Sequence, residues 1–129
     1  EAKEINFETI EPMYDLNEGS AAGRGFAVSG GVAKAVADRI AVEHPDMDVK
    51  TARAEGLQDC RKLMLLAKAG KYNGYLLEGM CCPGGCVAGA GTIQPIKKSA
   101  AAVGLYSKEA PFESALESKY DITLPLLKD

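Results

Sequence analysis

Residues 81–92 read CCPGGCVAGAGT, a run of cysteine, glycine and proline that a regular helix or strand does not tolerate. The apolar residues Tyr75, Leu76 and Leu77 stand just ahead of it and predict a strand that enters a loop. Three of the four cysteines lie in this run, which we term the cysteine loop. Glycines leave room for inorganic sulfide beside thiolates, so the composition is suited to a soft metal or an iron–sulfur cluster. The same glycines predict a loosely held backbone.

Strand and helix signals alternate along the chain ahead of this loop. Strands are predicted over 26–28, 48–54 and 75–77, and helices over 32–43, 57–69 and 96–105. Ser29 is a candidate cap for the first helix. Such alternation is typical of the α/β class, and we expect a small, mostly parallel sheet flanked by helices. The cysteine loop then lies at the carboxyl edge of that sheet.

Apolar residues recur at helical spacing in two of the predicted helices. The first stripe contains Val32, Val36 and Ile40, and both stripes are predicted to face the core. The second stripe comprises Leu57, Cys60, Met64 and Ala67, joined by Leu63 and Leu66. Cys60 is therefore interpreted as a packed core thiol, since free cysteine is commonly buried.

A length of 129 residues predicts a single domain. We expect an extended arm or loop over 1–22, an α/β core over 23–105 and a helical tail over 106–129. The chain begins with Glu1, without an initiator methionine, which favours an excised part of a longer protein.

The bulk composition excludes several classes of partner. A net charge of -3 argues against a nucleic-acid-binding surface. No apolar run approaches the roughly 20 residues that cross a bilayer, and the N-terminus does not resemble a signal peptide. Four cysteines in a chain without an export signal predict reduced thiols and a cytoplasmic location.

The cysteine loop also carries a pattern with a known counterpart. Glu-x-Met-x-Cys-x-x-Gly-Cys, spanning Glu78 to Cys86, resembles the third signature motif of iron-only (FeFe) hydrogenases. Two upstream segments, 26–32 and 54–63, are similar to the segments that precede this motif in the family, in the same order. The resemblance implies one lobe, the C-terminal one, of the two-lobed hydrogenase catalytic domain.

That resemblance assigns roles to individual residues. It implies that Cys82 is a ligand of a four-iron four-sulfur cluster and that Cys86 bridges this cluster to a two-iron unit. Met80 matches a methionine beside the two-iron unit, so Met80 and Cys86 are the implied catalytic residues and Cys82 and Cys86 the implied metal ligands. Spacing alone would put both thiols on one side of a helical turn. The role of Glu78 is left open, and Cys81 stands where the family has a small residue.

Two upstream motifs of the family, Thr-Ser-Cys-Cys-Pro and Pro-Cys-x-x-Lys, do not occur in this sequence. Two thiolates cannot close a four-ligand cluster, so we expect the chain alone to be inactive and to hold no cofactor. The composite cluster, termed the H-cluster, is expected in the parent protein. The implied partners are the N-terminal lobe of that parent and, through it, an electron carrier such as ferredoxin.

Two other functional classes compete with this interpretation. One is a non-catalytic iron–sulfur or scaffold protein built on the same fold. The other is a thiol-redox or zinc-binding module, which is disfavoured because zinc takes four ligands and only three clustered thiols exist, two of them adjacent.

Overall fold

A computed structural model describes residues 6, 8–11 and 18–118. Within this part of the chain, strands β1 (Lys50–Glu55) and β2 (Tyr75–Met80) form a parallel pair. Their register runs from Lys50 opposite Tyr75 to Glu55 opposite Met80. The α-helices of this part are α1 (Ala21–Arg24), α2 (Gly31–Glu43), α3 (Leu57–Lys68) and α4 (Ile96–Lys108), and three short 3-10 turns complete the elements. The predicted α/β class with a parallel sheet is confirmed.

The two strands and α3 form one β–α–β unit, with α2 on the opposite face of the sheet. The sulfur of Cys60 on α3 lies 3.3 Å from the position that a Cβ on Gly79 would occupy. Glu78, the next residue toward the N-terminus, points the other way and bonds the start of α2. Successive residues of a strand face opposite sides, so this alternation places the two helices on the two faces.

The predicted core faces of α2 and α3 are wrong in part. Leu63, which is 7% exposed, faces the sheet, whereas Met64 is 62% exposed. On α2 the buried residue is Ala33, and Val36 is 39% exposed. A pair of strands is too narrow to cover a wide apolar stripe, so each helix meets the sheet through a few residues and leaves the rest of its stripe in solvent.

The predicted strand over 26–28 is also wrong. Residues Gly25–Ala27 form a 3-10 turn, which is closed by the bond from Val28 N to Gly25 O. The next turn follows at once, because Gly31 N donates to Val28 O at 2.9 Å. The backbone groups of this segment therefore form hydrogen bonds within local turns rather than in a sheet ladder.

Helix α1 and the end of α4 are joined by polar contacts. The Arg24 guanidinium lies 4.0 Å over the ring of Tyr106 and donates to the Tyr106 carbonyl at 2.8 Å. The Ser107 hydroxyl donates to the Ala21 carbonyl at 2.6 Å. α1 thus begins inside the predicted arm, and α4 continues to Lys108, past the predicted start of the tail. Most of the arm, and residues 119–129 of the tail, lie outside the described residues.

None of the described helices is both long and apolar enough to span a membrane.

Candidate metal-binding loop

The carboxyl ends of β1 and β2 carry three charged side chains and a methionine on one face of the sheet. The register places Arg53 opposite Glu78 and Glu55 opposite Met80. Residues two apart on a strand share a face, so all four point toward the side occupied by α2. The strands are tied together at this end, because Gly56 N donates to Met80 O at 2.8 Å.

Glu78 caps helix α2 from the neighbouring strand. Its side chain is buried, at 6% exposure, and its two carboxylate oxygens accept from Gly30 N at 2.5 Å and Ala33 N at 2.7 Å. A carboxylate suits this place because the first N–H groups of a helix lack intrahelical partners and carry partial positive charge. The role that the sequence left open for Glu78 is therefore, at least, that of a helix cap. The predicted cap, Ser29, makes no such bond.

Ser29 instead connects this cap to the cysteine loop. Its N–H donates to the Gly84 carbonyl at 3.1 Å, and its own carbonyl accepts from the Arg53 guanidinium at 3.0 Å. Its hydroxyl oxygen is buried and has no partner of acceptable geometry. The residue thus acts through its main chain.

Glu55 reaches the same loop from β1. Its carboxylate accepts from Gly84 N at 2.8 Å. The nearby Ser29 hydroxyl, the Gly84 N–H and the charge of Arg53 together lower the pKa of Glu55, with Ser29 the largest cause. The Ser29 contact is looser than a normal hydrogen bond, so we regard the Gly84 N–H as the bond that holds the carboxylate.

Gly85 occupies a place that only glycine fits. Its φ of 94° and ψ of -162° lie in a region that side-chain-bearing residues avoid. A Cβ at this position would stand 2.6 Å from Ser29 N, 2.8 Å from Ala27 O and 3.0 Å from the Met80 sulfur. The loop therefore lies directly against the 27–29 segment, with Met80 beneath it.

Tight turns fix the rest of the loop. Gly85 N donates to Cys82 O at 3.0 Å, and Gly89 N donates to Cys86 O at 2.9 Å. A 3-10 turn covers Cys86–Ala88, and Val87 within it is buried. The loop is thus more firmly anchored in the structure than its glycine content predicts.

The four cysteines are all free thiols and fall into two environments. Cys82 is half-buried in the loop, whereas Cys81 and Cys86 are exposed. Gly84 and Gly85, both at positive φ, interrupt the helical turn expected between Cys82 and Cys86. Cys60 lies apart, on α3, with its sulfur 3.6 Å from the carbonyls of Ala54 and Met80. Its interpretation as a packing thiol agrees with this position.

The donor set of the loop fits part of an iron–sulfur cluster. Thiolates are the usual ligands of such clusters, and Gly89 brings a residue without a side chain beside Cys82, since a Cβ there would stand 4.0 Å from the Cys82 sulfur. Across residues 18–118 and the few described residues before them, no three His, Cys, Asp or Glu side chains group closely enough to hold a metal ion. Within the described residues, the thiols of the loop do not by themselves close a metal site.

Sequence reasoning missed two residues of this arrangement, Arg53 and Glu55. The charges of Asp48, Lys50 and Arg53 favoured an edge position for the strand predicted over 48–54 or left its assignment uncertain. The signal was present in the alternation of Thr51, Arg53 and Glu55 with the small residues Ala52 and Ala54. One face of β1 is small and packs on α3, while the other carries the groups that bind the loops.

Comparison with known proteins bears on this arrangement. The sequence model of the family described as iron only hydrogenase large subunit, C-terminal domain, matches residues 1–90. The match includes both strands and the three cysteines of the loop, and it ends before α4. No curated protein matches the chain. Because the matched residues make up well over half of its length, the chain belongs to the family of the C-terminal domain of the iron-only hydrogenase large subunit.

Proposed function

We propose that this chain supplies Cys82 and Cys86 as thiolate ligands to the iron–sulfur cluster of an iron-only hydrogenase. The parent enzyme would catalyse the reversible oxidation of dihydrogen to protons and electrons. One observation supports the proposal most strongly. The family match includes a loop in which Cys82 and Cys86 flank Gly84, whose N–H and carbonyl are both hydrogen-bonded to residues outside the loop. In this assignment Cys82 binds the four-iron cluster and Cys86 bridges it to the two-iron unit.

The chain's own residues prepare the place where the cluster would bind. The cluster, when bound, supplies the redox chemistry. Glu55, Ser29 and Gly85 hold the loop, and the Met80 side chain lies against Gly85 under it. A soft, apolar thioether in that position shields nearby iron from water, which supports its proposed place beside the two-iron unit.

A four-iron cluster takes four protein ligands, so two thiolates from this chain leave two ligands to be supplied by another part of the protein. We propose that the N-terminal lobe of the parent provides them and packs against this chain. The exposed apolar side chains of α3, among them Leu57, Met64 and Leu65, support a missing packing partner. An electron carrier such as ferredoxin would then exchange electrons with the parent. Four free thiols suit a reducing, cytoplasmic compartment.

The test uses the full-length parent with Cys82→Ser and Cys86→Ser. We expect each to lose hydrogen evolution and to lower the iron content after anaerobic reconstitution. Cys60→Ser is the matched control, because Cys60 packs on the other face of the sheet and should keep both properties.

Two results would revise the proposal in different ways. Full hydrogen evolution in either loop variant would refute the ligand assignment. Cysteine-dependent iron binding in a parent that never evolves hydrogen would instead favour the non-catalytic iron–sulfur or scaffold protein. This chain alone, given iron and sulfide, is expected to form no stable four-iron cluster.

A further inference from the structure

We propose that Glu55 is a positioning residue for the cysteine loop. From β1 it fixes the peptide of Gly84, midway between Cys82 and Cys86, and so sets how the two thiols are presented before any metal arrives. The inference rests on the proposed ligand role of these cysteines, although the anchoring itself can be measured without a metal.

Gly84 is held from two sides. Its N–H donates to a Glu55 carboxylate oxygen at 2.8 Å, and its carbonyl accepts from Ser29 N at 3.1 Å. A glycine at positive φ has no side chain to resist rotation of its peptide groups, so these two bonds, together with the bond from Gly85 N to Cys82 O, carry the constraint. Releasing one of them frees the backbone that links the two thiols.

Glu55 is itself well placed to act as an anchor. It is the last residue of β1, paired with Met80, and the following Gly56 N–H bonds Met80 O. The carboxylate thus projects from the point where the two strands are tied together. A bond from this point transmits the position of the sheet to the loop.

The other side of Gly84 is held through Ser29. Ser29 is fixed by the Arg53 guanidinium on its carbonyl, and the adjacent Gly30 N–H is fixed by Glu78. Arg53 and Glu55 are two residues apart on the same face of β1, so one strand holds both sides of the Gly84 peptide. Among these contacts, the Glu55 bond is the one that a side chain makes directly to the cysteine loop.

The experiment measures amide hydrogen exchange of Gly84 by NMR in the metal-free chain. Glu55→Ala should make Gly84 exchange roughly tenfold faster relative to a reference amide in α3, such as that of Leu63. Glu55→Gln keeps a carbonyl acceptor of the same reach and should restore most of the protection. Asp59→Asn is the control, because Asp59 lies in the same groove as Glu55 but bonds Lys62 instead.

A merely structural role would slow or speed all amides together and would not be rescued selectively at Gly84. Should Glu55→Ala fail to fold, Glu55→Asp gives the same test, since its shorter side chain keeps the charge but cannot reach. Unchanged Gly84 exchange in a folded Ala or Asp variant overturns the proposal.

A second arm separates this inference from the proposed function. In the full-length parent, Glu55→Ala should lower the iron retained after reconstitution, and Glu55→Gln should recover it. If Gly84 exchange responds but iron content does not, the positioning role for ligands is overturned. If the Cys82 and Cys86 variants also keep their iron, it is the ligand assignment that fails, while the anchor stands.

Discussion

The cysteine loop and helix α3 are completed to different degrees within this chain. The loop, although rich in glycine, has its backbone bonded to Ser29 and Glu55, and Val87 and Gly85 are buried. Helix α3, although rich in leucine, buries Leu63 and leaves Leu57, Met64 and Leu65 more than half exposed. Hydrogen-bonding needs are met locally at the loop, while apolar packing is unfinished on the helix.

This difference has a physical basis. A backbone N–H must find a partner within a few ångströms, so a loop that lies against strand ends is fixed by the residues beside it. Apolar burial requires a second surface of matching size, which two strands do not provide. An incompletely packed helix beside a hydrogen-bonded loop backbone is expected for one lobe of a larger domain. It agrees with the proposal that the N-terminal lobe of the parent packs against this chain.

The largest expected effect separates two glycines of the loop. Gly85→Ala should destabilise the 129-residue chain by about 4 kcal/mol, because a Cβ there combines forbidden backbone angles with overlap on main-chain atoms. Gly91→Ala has a similar positive φ but open space around it, so we expect about 1 kcal/mol. Urea denaturation measures both, and equal losses would show that Gly85 is not wedged against Ser29.

The second prediction compares neighbours on α3. Leu63→Ala should cost about 3 kcal/mol because it empties a buried site. Met64→Ala should change the stability of this chain by less than about 0.5 kcal/mol, since Met64 is already in solvent. The same denaturation series applies. A large loss at Met64 would mean that this face of α3 is packed within the chain after all.

The third prediction concerns the cap of α2. Glu78→Gln should cost about 2 kcal/mol, since the amide accepts one of the two N–H bonds and turns a donor toward the other. Glu43→Gln, at the far end of the same helix, is a control with an exposed side chain. Thermal unfolding of the two variants side by side measures the difference in stability. Similar unfolding midpoints would argue against two buried hydrogen bonds to the Glu78 carboxylate.

The smallest effect is a change with pH. The pKa of Glu55 is lowered on folding, chiefly by Ser29 and Gly84, so its contribution is fully present above its ordinary value of 4.5. The contribution is lost as the pH falls through the lower folded value. The Gly84 amide proton shift should therefore titrate with a midpoint below 4.5, and Glu55→Gln should abolish that titration. Nearby Arg53 also lowers the pKa of Glu55, whereas desolvation opposes this shift. A midpoint above 4.5 would show that Glu55 is not stabilised as the anion.

The sequence predicted the class of fold and the position of the cysteine loop better than it predicted packing. Alternating helix and strand signals are local, and so is the glycine–cysteine run after Tyr75–Leu77. Which face of α3 is buried cannot be predicted from neighbouring residues, because it depends on how many strands the sheet has. Residues 26–28 were predicted as a strand because they are an apolar run, and that run does not reveal that their backbone closes local turns.

The anchors of the loop could be predicted only in part. Glu78 stood out through its motif, but its partners Gly30 and Ala33 lie more than forty residues away in sequence. Glu55 is separated from Gly84 by 29 residues. Nothing in local spacing reveals such pairs until the register of the two strands is known.

We propose that the cysteine loop is arranged before any metal binds, and amide hydrogen exchange of the unmodified, metal-free chain can show whether it is. We predict that the amides of Gly84, Gly85 and Gly89 are protected to within roughly tenfold of the amides that pair β1 with β2. If the loop amides exchange as fast as those of an unstructured peptide while the strand amides are protected, the loop is not arranged before a metal binds.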